Sequence, residues 1–246
     1  MSGGDNLKTG GELLVDSLLA NNVDRAFCVP GESYLAALDA LHGAPSIDLM
    51  TCRQESGAAM MADAYGKLTG RPGICFVTRG PGATNASAGV HIAFQDSTPM
   101  ILFVGQVGRE MRDREAFQEI DFRRMFGQMT KWVAEIDDAA RVPEYVSRAF
   151  HTAVAGRAGP VVLALPEDML RDRAPALEIT AAAINEAHPG PDAMEELRSR
   201  LEKAERPLVI VGGGGWDAMA VANVEKFAEA NHLPVAAAFR FQSLFN

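Results

Sequence analysis

Runs of basic residues and long apolar stretches are both missing from this sequence of 246 residues. Its 23 lysines and arginines are outnumbered by 32 aspartates and glutamates, which gives a formal net charge of −9. Nucleic-acid phosphates are bound by basic surfaces, so this charge balance argues against nucleic acid as the main partner. No apolar stretch approaches the roughly 20 residues that a transmembrane helix needs, and we therefore expect no membrane span.

Cysteine is also scarce. The three cysteines, Cys28, Cys52 and Cys75, are widely spaced, and each lies in an apolar, strand-like run. An odd number without paired spacing fits neither a disulfide framework nor a zinc site, so we interpret them as reduced core residues and expect no metal site in this chain. Residues 1–6 lack the basic and apolar regions of a signal peptide, which favours a cytoplasmic location.

Short apolar runs alternate with helical patterns along most of the chain. Strands are predicted at 26–29, near Leu49, at 73–78, at 100–104 and at 160–165, and helices at 11–21, 33–41, 55–69, 83–94 and 142–154. The strands are apolar throughout rather than alternating, which requires both faces of the sheet to be covered. The sequence therefore predicts the α/β class, with a parallel sheet and helices on both of its faces.

The composition changes after residue 170. Residues 171–192 are rich in charge, alanine and proline without sustained periodicity. This pattern indicates a linker between a first domain at 1–170 and the truncated start of a second α/β domain at 193–246. The second segment holds two predicted strands, too few to bury both faces of a sheet. We therefore expect the chain to be a fragment of a longer polypeptide.

Three loops follow predicted strands and would meet at the carboxyl edge of a parallel sheet, where open α/β folds bind their ligands. One carries Glu55, a carboxylate at the start of a helix whose small and apolar residues indicate burial. The other two contain Val29-Pro30-Gly31 and Gly80-Pro81-Gly82. The Gly80 turn taken alone could equally be an ordinary tight connection. Together, the three loops predict a site in which a partly desolvated carboxyl group performs acid–base chemistry.

Several motifs in combination resemble one family of enzymes. They are VPGE at 29–32, RQESGAAMMADAYGKLTG at 53–70, VTRGPGATNASAGV at 77–90, FQDSTPMI at 94–101, AFQEIDF at 116–122 and GPVVLALPEDML at 159–170. The family is the thiamine-diphosphate-dependent decarboxylases and carboligases of the acetohydroxyacid (acetolactate) synthase group. Most of residues 8–170 resembles its pyrimidine-binding domain, and residues 191–246 resemble the start of its middle domain. The resemblance implies a homodimeric or tetrameric enzyme that decarboxylates a 2-oxo acid and transfers the resulting acyl group.

The resemblance also implies roles for individual residues. Glu55 matches the glutamate that hydrogen-bonds N1′ of the cofactor's aminopyrimidine and so prepares the thiazolium carbon for proton loss. Gln118 matches a catalytic position, Phe117 a neighbouring position that faces the substrate, and Lys131 a residue at the mouth of the substrate channel. The positions that match the lining of the pyrimidine ring are Pro30, Gly31, Thr78, Pro81, Gly82 and Asn85. The alternatives are that Asn85 caps a helix turn and that Lys131 is solvated.

Two residues depart from the family pattern. Glu32 replaces a second glycine after Pro-Gly, and Arg79 replaces the serine of Thr-Ser-Gly-Pro-Gly. Arg79 is predicted either to meet a carboxylate or phosphate of the substrate, or to pair with Glu32 or surface acids. Both changes leave room for a CoA-thioester decarboxylase or lyase of the same superfamily.

The implied cofactors are thiamine diphosphate and Mg²⁺. In the resembled family a C-terminal domain holds the metal and the diphosphate, and its motif does not occur in this chain, so we expect these residues alone to be inactive. FAD is a further possibility at Gly212–Gly215, although Asp217 stands where the third glycine of G-x-G-x-x-G would be. A non-catalytic nucleotide-binding module centred on these glycines is the alternative from a different functional class.

Overall fold

The computed structural model describes residues 7–176, 178–183 and 187–245. Residues 1–6, for which the sequence predicts no signal peptide, lie outside the described parts, as do residues 177 and 184–186 of the predicted linker. The chain divides into two compact units, residues 1–184 and 185–246.

The first unit alternates strands with helices. Its strands are β1 (Leu7–Thr9), β2 (Arg25–Cys28), β3 (Asp48–Thr51), β4 (Gly73–Val77), β5 (Met100–Gln106), β6 (Trp132–Glu135), β7 (Pro160–Pro166) and β8 (Arg173–Pro175). Its helices are α1 (Gly10–Ala20), α2 (Leu35–His42), α3 (Glu55–Thr69), α4 (Gly80–Asp96), α5 (Phe122–Phe126) and α6 (Val142–Val154). The second unit contains α7 (Pro191–Lys203), β9 (Val209–Val211), α8 (Ala218–Ala230) and β10 (Val235–Ala237), with β9 and β10 paired in parallel.

Six strands of the first unit form one sheet in the order β3-β2-β4-β5-β7-β6, and all of its strand pairs are parallel. The central strands β4, β5 and β7 are buried along their whole length. Burial on both faces explains why these strands are apolar at every position rather than at alternate ones. The predicted α/β class, with a parallel sheet covered on both faces, is confirmed.

Successive residues of each central strand pack into two different apolar layers. In β4, Ile74 and Phe76 join the layer that contains α1 and α6, whereas Cys75 and Val77 join the layer that contains α3 and α4. Leucine, valine and phenylalanine side chains build much of the first layer. The helices of the second layer contribute mainly alanine, which lets their backbones lie close to the sheet and to one another.

Two glycines show how close the α3 backbone lies to its neighbours. A Cβ atom on Gly89 of α4 would lie 2.5 Å from Cβ of Ala59, and one on Gly73 of β4 would lie 1.9 Å from the carbonyl oxygen of Ala62. Neither distance is compatible with a side chain in the present packing. Helix α3 is therefore held between α4 and the sheet, and this packing fixes the position of its first residue, Glu55.

A small antiparallel sheet of β1 and β8 completes the first unit, with Lys8 opposite Ala174. Strand β8 lies inside the segment that the sequence predicts as a linker, so regular structure of the first unit continues beyond residue 170. Within the described ranges, no helix has the length and apolar character needed to cross a bilayer.

The three cysteines are free, but they differ in environment. Cys28 and Cys75 are buried in strands, and burial raises the pKa of both thiols above the ordinary value. Cys52 follows β3 and is half-buried at the margin of the second layer. Cys28 and Cys75 are the core residues that the sequence predicts, whereas Cys52 was wrongly predicted as a core residue and is the most accessible of the three.

The close packing of α3 against α4 predicts opposite effects for two Gly→Ala substitutions. Gly89→Ala forces Cβ into Ala59 and should reduce the free energy of unfolding by about 1–3 kcal/mol, as overpacked cores do. Gly57→Ala, the matched control on α3, meets no atom closer than 4.0 Å and should stabilise the helix by about 0.5–1 kcal/mol. Chemical denaturation of both variants measures the difference. Equal effects would show that the two helices are not in close contact.

The cysteine environments predict the pattern of thiol modification. In the native protein at pH 8, iodoacetamide should modify Cys52, because burial blocks Cys28 and Cys75 and keeps both protonated. The denatured protein, as the control, should incorporate label at all three sites. Peptide mass spectrometry locates the label, and rapid native labelling of Cys75 would contradict the buried position of β4.

Candidate functional site

The carboxylate of Glu55 lies at the carboxyl edge of the parallel sheet. Glu55 is the first residue of α3, which follows β3, and its side chain is half-buried. Asn85 projects from α4, which follows β4, and its Nδ2 donates a hydrogen bond of 2.9 Å to Oε2 of Glu55. The neighbouring helix therefore orients the carboxylate. The side chain of Asn85 contacts Glu55 instead of capping a helix turn.

The start of α3 is held by Gln54. Its Oε1 accepts hydrogen bonds from the backbone N–H of Gly57, at 2.9 Å, and from the hydroxyl of Ser56, at 2.5 Å. This side-chain cap satisfies one of the free N–H groups at the helix start. Glu55 therefore begins a helix whose first turn is fixed on both sides, by Gln54 and by the packing of α4.

One oxygen of Glu55 is engaged and the other is open. Among the residues that the structure describes, Asn85 donates to Oε2 and no protein group donates to Oε1. Nearby, Pro30, Pro81 and Asn85 are exposed at the same edge. A half-buried carboxylate with one open oxygen can accept a hydrogen bond from a ligand N–H, or share a proton with a ligand nitrogen.

The loop after β2 is in close contact with the loop after β4. A Cβ atom on Gly31 would lie 2.6 Å from Cβ of Thr78, and the hydroxyls of Ser33 and Thr78 share a hydrogen bond of 2.9 Å. Ser33 is fully buried against Gly105, where a Cβ would lie 1.9 Å from its hydroxyl. The structure thus brings the predicted residues Gly31 and Thr78 together, and glycine is required at position 31.

Tyr34 stabilises the loop after β2 and was not predicted as a site residue. Its hydroxyl donates to the carbonyl of Val29 at 2.5 Å, and its ring stacks on Phe76. Burial raises its pKa far above the ordinary value, and the negative charge of Glu55 contributes in the same direction. An aromatic residue shortly after a Pro-Gly turn was the only signal in the sequence.

The loop that carries Phe117 and Gln118 reaches the start of α4. The backbone N–H of Gly80 donates to the carbonyl oxygen of Gln118 at 2.9 Å. A Cβ on Gly80 would lie at the same 2.9 Å from that oxygen, so only glycine permits the approach. Phe117 is 76% exposed, an unusual environment for such an apolar side chain. The predicted pair therefore lies beside the Gly80-Pro81-Gly82 turn, with Phe117 directed to solvent.

This loop has a strained backbone that Glu119 supports. Asp113, Glu115 and Gln118 have φ values of 61°, 54° and 68°, in the left-handed region that non-glycine residues rarely occupy. The carboxylate of Glu119 accepts hydrogen bonds from the backbone N–H groups of Asp113, at 2.7 Å, and Ala116, at 3.1 Å. Glu119 thus stabilises the loop through hydrogen bonds to two of its backbone N–H groups, a role that its position in the motif did not reveal.

Arg79 is engaged in ion pairs with two carboxylates. Its guanidinium contacts Glu32 at 3.1 Å and Glu167 at 2.6 Å, and its side chain is 9% exposed. Of the two alternatives, pairing with Glu32 is the one that the structure contains. Glu167, at the end of β7, is a second partner that the sequence did not indicate.

Lys131 is not brought to this edge of the sheet. It immediately precedes β6, and its backbone N–H donates to Pro160 at the start of β7, so it lies at the amino edge. Its ammonium donates to the carbonyl of Ala155 at 2.6 Å, and burial lowers its pKa. Neither the channel position nor a solvated lysine is supported.

The glycine-rich loop of the second unit leads into α8. Gly213 and Gly215 have φ values of 79° and 84°, and the indole N–H of Trp216 donates to the carbonyl of Gly212. The carboxylate of Asp217 caps α8 by accepting from the N–H of Ala220 at 2.6 Å. A negative charge therefore already occupies the helix start, where a nucleotide phosphate would otherwise bind.

Both units match models of thiamine pyrophosphate enzymes. Residues 8–125 match the family described as "Thiamine pyrophosphate enzyme, N-terminal TPP binding domain". Residues 194–246 match "Thiamine pyrophosphate enzyme, central domain". The first match contains Glu55, Asn85 and the loop that carries Phe117 and Gln118.

Curated relatives are similar over nearly the whole chain. Acetolactate synthase of Bacillus subtilis is 34% identical over 226 residues, which are 92% of this chain and 40% of the relative. The acetolactate synthase large subunit of Lactococcus lactis is 34% identical over 233 residues, again 92% of this chain and 40% of the relative. Isozyme 2 of Escherichia coli is 34% identical, with 41% of its length covered. The chain thus spans about two-fifths of the length of these relatives.

The contacts of Glu119 predict how the Phe117–Gln118 loop responds to its loss. In Glu119→Ala, the amides of Asp113 and Ala116 should exchange with deuterium at least about tenfold faster, since each loses a hydrogen bond to a charged group. Glu110→Gln, an exposed position in the same loop, serves as the control and should leave both rates unchanged. Unaltered exchange in Glu119→Ala would show that Glu119 does not support the loop.

Proposed function

The chain belongs to the thiamine pyrophosphate enzyme family, and we propose that it forms the pyrimidine-binding part of an acetolactate synthase-like enzyme. The proposed reaction is decarboxylation of a 2-oxo acid followed by transfer of the acyl group to an acceptor. The observation that carries this proposal is the carboxylate of Glu55, oriented through Oε2 by Asn85 and open at Oε1. The similarity to acetolactate synthases supports this reaction over that of a CoA-thioester decarboxylase or lyase.

The residues at the sheet edge fit the pyrimidine end of thiamine diphosphate. An aminopyrimidine is flat and carries ring nitrogens that pair with a carboxyl group. Gly31 and Gly82 keep side chains away from Thr78, since Cβ atoms there would lie 2.6 Å and 3.1 Å from its side chain. Glu55 supplies the carboxyl group. When bound, thiamine diphosphate supplies the carbon nucleophile and electron sink for decarboxylation.

The chain's own residues hold the proton shared with the pyrimidine ring and position the substrate. We propose that Oε1 of Glu55 holds the proton shared with the ring nitrogen, while Asn85 prevents the carboxylate from rotating away. Gln118, next to the start of α4, offers its amide to the substrate carboxylate. Phe117 offers an apolar surface that excludes water from the reacting atoms.

Other groups are required for the diphosphate and the metal. Within the described ranges, no cluster of three or more His, Cys, Asp or Glu side chains could hold a metal ion. We propose that Mg²⁺ and the diphosphate are held by residues equivalent to the part of the relatives that this chain does not cover. Exposed methionines on β3 and α3, namely Met50, Met60 and Met61, support self-association as a homodimer or tetramer.

A nucleotide-binding role for the second unit is less well supported. The Gly212–Gly215 loop has the backbone freedom of a phosphate-binding turn, but the Asp217 carboxylate occupies the start of α8. We therefore propose catalysis at Glu55 in preference to a nucleotide-binding module. FAD or ADP binding that survives Glu55→Gln, without turnover by the wild-type protein, would support the module instead.

The role of Glu55 predicts the outcome of removing its charge. In the full-length enzyme, Glu55→Gln should slow exchange of the C2 proton of bound thiamine diphosphate by about 100-fold or more, the usual effect of losing an acid–base group. NMR of quenched samples measures this exchange directly. Glu196→Gln, exposed on α7, is the matched control and should exchange at the wild-type rate.

Circular dichroism of Glu55→Gln should match the wild type, since the amide retains the volume of the side chain. Wild-type exchange rates in this variant would refute the assignment of Glu55.

Assays of the full-length enzyme with pyruvate and with oxalyl-CoA should show activity towards pyruvate. Activity with oxalyl-CoA alone would assign the protein to the CoA-thioester decarboxylases.

A further inference from the structure

A buried arginine connects loops from three strands at the edge of the sheet that carries Glu55. Arg79 lies between β4 and α4, and its two terminal nitrogens bind Glu32, after β2, and Glu167, after β7. In the sheet order, β2 and β7 are separated by β4 and β5. With about 4.8 Å between neighbouring strands, the loops that Arg79 joins originate about 14 Å apart.

Each partner is itself tied to a loop of the proposed site. Glu32 follows Gly31 directly, and the next residue, Ser33, bonds to Thr78. The backbone N–H of Glu167 donates to the carbonyl of Gln106 at 3.1 Å. The side chain of Gln106, also buried, donates from Nε2 to the carbonyl of Ile120 at 3.0 Å, at the end of the Phe117–Gln118 loop. The ion pairs of Arg79 therefore link all of these loops.

The side chain of Arg79 is 9% exposed, so little of it is accessible to a substrate. Each terminal nitrogen donates one hydrogen bond to a carboxylate, and Nε is buried without a partner among the described residues. Turning the guanidinium outward would break both ion pairs, and the cost falls mainly on the contact with Glu167, whose side chain is 35% exposed against 71% for Glu32. The planar fork of arginine suits this bridging role, whereas the single ammonium of lysine does not.

The two residues that depart from the family pattern are thus the two members of one ion pair. We propose that Arg79 is a positioning residue, and that the Glu32–Arg79–Glu167 bridge locks the loops after β2, β4 and β7 into one frame around Glu55. The substrate carboxylate is then met by other groups. The effect on catalysis rests on the proposed function, whereas the ordering of the loops does not.

Hydrogen–deuterium exchange of the full-length protein tests the bridge without requiring activity. In Arg79→Gln, amides at residues 167–168 should exchange at least about tenfold faster, and amides at residues 31–34 should accelerate by a smaller factor, because Glu167 is 35% exposed and Glu32 71% exposed. Glu32→Gln should accelerate only residues 31–34, and Glu167→Gln only residues 167–168. Arg124→Gln, whose ion-paired side chain is 90% exposed, is the control and should change neither loop.

The double variant Glu32→Gln with Arg79→Gln separates a bridge from two independent effects. If the pair acts as one unit, residues 31–34 should exchange no faster in the double variant than in Arg79→Gln alone. Additive acceleration, or unchanged exchange in every single variant, would overturn the proposal. Should Arg79→Gln fail to fold, the two glutamate variants decide the same question, since each removes one contact of the bridge.

Steady-state kinetics with pyruvate distinguishes positioning from substrate contact. Arg79→Lys should lower kcat with KM changed less than about threefold, because a displaced frame weakens transition-state contacts more than substrate binding. A rise in KM of tenfold or more, with loop exchange unchanged, would make Arg79 a substrate ligand and overturn the proposal. If the wild-type enzyme shows no turnover, the proposed function is wrong. The exchange experiment still tests whether the Glu32–Arg79–Glu167 bridge orders the loops.

Discussion

The close contact between α3 and α4 is the constraint on which the rest of the site depends. Alanines and glycines line this contact, and Gly89 leaves no room for a Cβ beside Ala59. The short distance between the helices allows the amide of Asn85 to reach the carboxylate of Glu55. Larger residues would separate the helices, and Glu55 would lose the partner that orients it. The small-residue composition of the second layer is therefore a requirement of the proposed chemistry as well as of the packing.

The loops that lead into these helices lie at one edge of the sheet. Because the strands are parallel, the loops after β2, β3, β4, β5 and β7 all emerge on one side. Hydrogen bonds and ion pairs then join them: Ser33 to Thr78, Gly80 to Gln118, and Arg79 to two glutamates. The result is a preorganised carboxylate within a connected set of loops, which is what proton transfer at a fixed ligand atom requires.

Much of the fold followed from the sequence because buried parallel strands and alanine-rich helices leave strong local patterns. Helices 55–69 and 142–154 were predicted with the observed bounds. Strand β6 was missed because its edge position leaves Trp132, Val133 and Glu135 half-buried, and β8 because three residues that pair with a distant strand carry no periodicity.

The site was predicted less completely than the fold. Motifs pointed to Glu55 and the glycine turns, but contacts such as Asn85 with Glu55 and Arg79 with Glu167 depend on distances between elements remote in sequence. Lys131 lies at the opposite, amino edge of the sheet, and a motif does not reveal which edge of the sheet a residue occupies.

A crystal structure of the full-length enzyme with thiamine diphosphate would test the central claim most directly. The measured quantity is the distance from Oε1 of Glu55 to N1′ of the aminopyrimidine. The account predicts a hydrogen bond of about 2.6–3.2 Å, with Oε2 still bonded to Asn85. A pyrimidine ring bound elsewhere, or a Glu55 carboxylate turned away from it, would contradict the account.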